Sequence, residues 1–245
     1  DETLYMAKIL LDTCTWLDLA KPKFGEIFNE LKNQIDEGIT ILLTCEIIRE
    51  EWNNNKTRII EEILTSIRSH AKSALKMGEL LQTSERLELY KIVEKYSKIE
   101  QEQENLANQY FDQVEKLLLG STVYKIDSKL KLEMTDRALL KKAPFHNSKN
   151  NMADALLYFG AIQFLEKETE IANDLIFVTQ NHKDFCEPLN LNNLHPDLKK
   201  SNVYFYNNLA QALKMRKEII DEMDEYHEGQ FWRWIEMQAD IARGK

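Results

Sequence analysis

Glycine and proline are scarce, at 7 and 4 in 245 residues. That shortage excludes collagen-like and flexible low-complexity chains and favours a helix-rich globular protein. Cysteine is rarer still. Cys14, Cys45 and Cys186 show no C-x-x-C spacing, which excludes the common structural zinc sites and a disulfide framework. They read as structural thiols in a reducing, cytoplasmic setting. No apolar run approaches the roughly 18 residues that would suggest a membrane span. The first residues, DETLYMAKILLDT, have neither a basic start nor a small-residue cleavage site, so no secretory signal is expected. Positive charge is also short: 32 Lys and Arg against 41 Asp and Glu leave a net charge of −9. That argues against a broad basic footprint on nucleic acid. Local basic points remain at Lys141-Lys142, Lys149 and Lys199-Lys200.

Short apolar runs are plentiful, and they alternate with helical patterns. Ile9–Leu11, Ile39–Leu43, Leu175–Thr179 and Val203–Tyr206 read as buried strands, with Val123–Ile126 as a short edge strand or connector. Between them, Phe24–Glu37 read as a helix with Ile27, Phe28, Leu31 and Ile35 on one face, ended by Gly38. Thr44 is a candidate cap for the next helix. Thr135–Leu140 and Ala153–Lys167 read as further helices, with a polar loop at 142–151 between them. Asn208–Glu225 and Gln230–Ala242 read as two C-terminal helices. Strand and helix in alternation mark an α/β fold with a mainly parallel sheet.

Residues 56–120 break that rhythm. Ile60, Ile63, Leu64 and Ile67 keep helical spacing up to Gly78, and Ile92 to Leu117 continue in steps of three and four. This predicts two long helices in a hairpin, packed on the body or offered to a second copy or partner. The expected organisation is a discontinuous body of residues 6–55 and 121–210, a hairpin at 56–120 and C-terminal helices at 211–245. The hairpin and the last helix are the candidate docking surfaces.

Acidic residues recur where strands end and helices begin. Asp12 closes KILLDT, Glu50 follows ITILLTCEIIRE, Asp154 opens NNMADALLYFGAI, and Asn181 and Asp184 follow DLIFVT. Strand ends of a parallel sheet converge on one edge. Carboxylates gathered there repel one another unless a cation lies between them. Each also has an ordinary reading: a turn or cap for Asp12 and Asp184, an exposed face for Glu50-Glu51, and a helix-dipole partner for Asp154.

LLDTCTWL, then EIIREEW, then NNMADALLYFGAI, then LIFVTQNHKDF, in that order, resemble the PIN-domain nucleases. The stretch DRALLKKAPFHNSKNNMADALL looks most like a subgroup with a long helical insertion. The resemblance covers residues 8–52 and 135–206. It implies a three-layer α/β/α fold and a Mg²⁺- or Mn²⁺-dependent ribonuclease; an endoribonuclease acting on RNA is the leading expectation, with a toxin or defence effector as one form it could take. On it, Asp12, Glu50 and Asp154 match the first three acids. The fourth position holds Asn181, and Asp184 stands three residues on. Asp12, Glu50, Asp154 and Asp184 become the catalytic candidates, and these with Asn181 the metal ligands. Thr13 and Thr179 would orient the carboxylates, and Lys149 and Arg137 would hold substrate phosphates.

His146 and His182 flank these positions, but a metal-activated water needs no histidine base. Phe145, Phe231, Trp232 and Trp234 could stack bases or simply pack. Two other classes compete. Asn181 and the acidic charge suit a PIN-like RNA- or protein-binding module with degraded catalysis. A phospho-aspartate hydrolase would want D-x-D at the first strand, and Cys14 breaks that pattern.

Overall fold

The computed structural model describes residues 7–98, 100–147, 151–167, 174–187 and 190–242. Its centre is a sheet of five strands in the order β3-β2-β1-β4-β7, every neighbouring pair parallel. The strands are β1 (Ala7–Leu11), β2 (Thr40–Thr44), β3 (Thr122–Val123), β4 (Leu175–Val178) and β7 (Val203–Tyr206). All five residues of β1 and all four of β4 are buried. Strands covered on both faces read as continuous apolar runs, which is why these were legible.

Helices cover both faces. They are α1 (Thr13–Leu19), α2 (Gly25–Asp36), α6 (Ser128–Leu139) and α7 (Met152–Lys167), with α9 (Leu209–Ala242) at the C-terminus. The architecture is the expected three-layer α/β/α. Helix α7 buries residues all round, including Leu157, Tyr158, Ala161 and Leu165, as a central helix must. Its Gly160 lets Tyr124 lie against the helix, because a Cβ there would stand 2.8 Å from the Tyr124 ring. The Tyr124 hydroxyl donates to Leu157 O at 2.7 Å across the same contact. Gly38, at φ +73°, turns the chain out of α2 into β2.

Several expectations change. Helix α1 was not foreseen, nor was the small antiparallel pair β5 (Cys186–Glu187) and β6 (Asn190–Leu194) after the short α8 (His182–Phe185). Thr44 ends β2, and Cys45 occupies the N-cap without a side-chain bond. Helix α6 begins seven residues earlier than expected, where Asp127 caps it by accepting from Leu130 N–H. The C-terminal segment is one helix, not two; Gly229 lies within it unbroken.

The hairpin is longer and differently built. Its first leg is the single helix α3 (Glu46–Gly78), about 50 Å at 1.5 Å per residue. The return leg is α4 (Thr83–Lys98) followed by α5 (Glu100–Gly120). Near the sheet the legs lock: Trp52 stacks on Phe111 at 4.7 Å, and the Trp52 indole donates to Glu115 at 3.2 Å. Further out, Arg68 donates to Gln103 at 2.9 Å. At the turn, Arg86 donates to Gly78 O at 2.9 Å. The arm is joined to the body by Tyr110, whose hydroxyl donates to Leu19 O and Lys21 O at 3.4 and 3.3 Å.

Candidate active site

The chain leaves β1 for β2 on one side and returns to β4 on the other. Between β1 and β4 the strand order reverses, and in open α/β sheets ligands bind at the carboxyl ends of strands at such a point. Leu11 pairs with Val178 in register, so the next residues, Asp12 and Thr179, emerge side by side. The Asp12 N–H donates to Val178 O at 3.1 Å. One carboxylate oxygen of Asp12 accepts from Thr15 N–H at 2.7 Å, which makes Asp12 the N-cap of α1. The other accepts from the Thr179 hydroxyl, and that hydroxyl accepts in turn from Asn181 N–H at 2.9 Å. The cap reading and the site reading of Asp12 therefore hold together. Thr15 and Thr179, rather than Thr13, orient this carboxylate.

Asp154 projects from the first turn of α7, half-buried. Its Oδ2 accepts from the Asn181 amide at 2.8 Å. Burial pushes its carboxyl up to about 6, against the Asn181 bond, with Asp12, Glu51 and Asp184 adding repulsion. Asp12 is also raised, chiefly by burial, against the Thr15 and Thr179 bonds. Asp184 is only 1% exposed. Its Oδ1 accepts from the Asn147 amide at 3.1 Å, and its Oδ2 is buried without a partner.

The structure does not bring every expected residue to this cluster. Glu50 points outward on α3 and is exposed, whereas its neighbour Glu51 is half-buried and acts on Asp154 and on the Cys14 thiol. The phase of α3 decides between them. Ile48, Trp52, Ile59 and Ile63 set its inward face, and Glu51 borders that face. Arg137 is committed elsewhere: it donates to Ala143 O at 2.6 Å and Asp197 O at 2.8 Å, with its guanidinium over the Phe159 ring. Those bonds tie loops together and leave little for a phosphate. Lys149 and the side chains of Phe231, Trp232 and Trp234 lie outside the described residues. Phe145 packs partly buried against the small cluster of Leu130, Met134, Ala155 and Leu156. His182 opens α8, and His146 stacks on His195 at 5.0 Å.

Asp12, Glu51 and Asp184 thus all press their charge on Asp154, beside the β1/β4 switch point. Among the described residues no three His, Cys, Asp or Glu side chains form a ready-made ion cage. The donors are nonetheless of the kind a hard divalent cation takes. The orphaned Asp184 Oδ2 and the raised Asp154 are what a cation would satisfy.

Residues 9–185 match the PIN domain. The chain belongs to the PIN-domain family. The match begins in β1 and ends one residue after Asp184, so it takes in the whole crevice and the helical arm between its parts. No curated protein and no solved structure matches the chain. PIN-domain membership points to nuclease-type chemistry and to nucleic acid as the partner. Among the described residues no helix is long and apolar enough to cross a membrane.

Proposed function

We propose that this PIN-domain protein is a divalent-metal-dependent endoribonuclease. The observation that carries the reading is the convergence of Asp12, Asp154 and Asp184 at the β1/β4 switch point, each with a carboxylate oxygen already oriented by a donor. Asp12, Asp154 and Asp184, with Glu51 in place of Glu50 as the acid from α3, would hold Mg²⁺ or Mn²⁺. Bound there, the ion supplies Lewis-acid activation of water and neutralises charge on the phosphoryl oxygens.

The protein's own part is positioning. Thr15 N–H and Thr179 fix Asp12 against the end of β1. Asn181 links that unit to Asp154 through its backbone N–H and its side-chain amide. Such orienting bonds to ligand carboxylates commonly carry 10–100-fold in metal affinity or activity. A role as toxin or defence effector is part of the same proposal, as is a protein partner or second copy on the arm or α9.

One observation favours a second reading, a PIN-like binding module with degraded catalysis. Asn181 brings an amide where the family resemblance implies an acid, and that amide already occupies an oxygen of Asp154. Incubating single-stranded and structured RNA with the protein in Mg²⁺ or Mn²⁺, beside Asp12→Asn and Asp154→Asn, separates the two. Cleavage by the wild type alone supports the nuclease. RNA binding without cleavage in either metal supports the module.

A further inference from the structure

Asp184 lies at the end of the family match, on a four-residue helix that cannot by itself fix a side chain. What holds it comes from the loop between α6 and α7. The Asn147 amide nitrogen reaches Asp184 Oδ1 at 3.1 Å, Lys183 O at 2.8 Å and the His146 Nε2 at 3.1 Å. Asn147 itself is exposed, so packing does not require it. Its loop is anchored from behind. Arg137 clamps Ala143 O and Asp197 O, the Asp197 carboxylate accepts from Ala143 N–H at 3.3 Å, and buried Asn151 donates to Pro144 O at 2.8 Å. The His146 and His195 rings stack beside it, and His195 N–H donates to Phe185 O at 2.8 Å. Two loops distant in sequence are thus sewn into one wall, and Asn147 is the point where that wall touches a carboxylate of the site.

We infer that Asn147 is a positioning residue of the active site: by holding Oδ1 of Asp184 it leaves the buried, unpartnered Oδ2 as the oxygen available to a cation. This rests on the nuclease reading above. An amide suits the task because it donates to a carboxylate without adding charge to a crowded acidic group. Arg137, expected from the sequence to hold substrate, serves the same wall one step further back.

The test uses the full chain, with Asn147→Ala and the isosteric Asn147→Asp. Mn²⁺ alone is titrated calorimetrically, and steady-state cleavage of a labelled single-stranded RNA is measured beside it. Loss of an outer-shell partner of this kind predicts Mn²⁺ affinity down by about 10–100-fold in Asn147→Ala. It also predicts a lower kcat with KM for RNA unchanged, beside a lower metal-free melting temperature, because the buried Asp184 carboxylate loses its donor. Asn147→Asp keeps the shape but replaces the donor by a carboxylate that repels Asp184, so its kcat must fall below wild type as well. Wild-type Mn²⁺ affinity and kcat in Asn147→Ala would overturn the inference, as would Asn147→Asp behaving like wild type. A wild-type chain that neither binds Mn²⁺ nor cleaves RNA would instead overturn the nuclease reading itself.

Discussion

The sheet edge and the helical arm solve opposite problems. At the edge, polar side chains are buried, and bonds from two segments hold the acids in place: Thr179 to Asp12 and Asn181 to Asp154 from one, Asn147 to Asp184 from the other. Along the arm, most of the buried large apolar side chains lie near the body. Trp52, Ile59, Ile63, Ala107, Phe111 and Val114 are buried there, while Met77, Leu80, Leu87 and Ile92 near the turn stand exposed, Leu80 by 87%. Buried polar groups are costly unless they are satisfied, so the edge tolerates little change. The exposed apolar side chains at the tip have little burial to lose. The helix α3 belongs to both regions: Glu51 borders the crevice near its start, and its last turns form the tip.

Breaking the arm at its base should have the largest effect on stability. Trp52→Ala removes the stack on Phe111 and the bond to Glu115, and truncations of this kind cost about 3–5 kcal/mol. Chemical denaturation should show it as a lower midpoint. Asp154→Asn should fold and yet lose cleavage. Metal-dependent charge stabilisation is worth several kcal/mol, and each ~1.4 kcal/mol is tenfold, so the loss should exceed about 100-fold. A single-turnover assay measures it directly.

Between those extremes lies Gly160→Ala. The added methyl meets the Tyr124 ring, and overpacking costs about 1–3 kcal/mol. Because α7 also carries Asp154, activity should fall along with the melting temperature. Acidity offers a subtler test. The Asp154 carboxyl is raised from 3.8 to about 6, so between those values the folded chain binds a proton that the unfolded chain does not. Its contribution to stability is therefore full below pH 4 and lost as pH rises to 6. In metal-free buffer, wild type should gain on Asp154→Asn as pH is lowered across that window. The smallest effect is expected at the tip: Leu80→Ser should change stability by no more than about 0.5 kcal/mol. A larger loss would mean that the tip is covered in solution.

Much of this contrast was legible in the sequence. The short buried strands announced themselves as apolar runs, and their alternation with helical patterns announced the parallel sheet. Helix α1 was not legible, because Asp12 ends β1 and caps α1 at once, with no loop residues to mark a boundary. The β5-β6 pair was missed because NLNNL is polar and largely exposed, with no alternation to read. Glu50 and Glu51 are neighbours in sequence, and spacing from the strand could not choose between them. The stripe of Ile48, Trp52, Ile59 and Ile63 could have, since it fixes which side of α3 faces inward. Asn147 carried no signal at all: it is one amide in a polar loop, and only the fold brings it to Asp184.

The most direct test of the central claim, that the switch-point acids form a divalent-cation site, is a calorimetric titration of Mn²⁺ into the wild-type chain and into Asp154→Asn. Saturable binding to the wild type that is abolished in the variant is the predicted result. Equal binding by both, or none by the wild type, would contradict it.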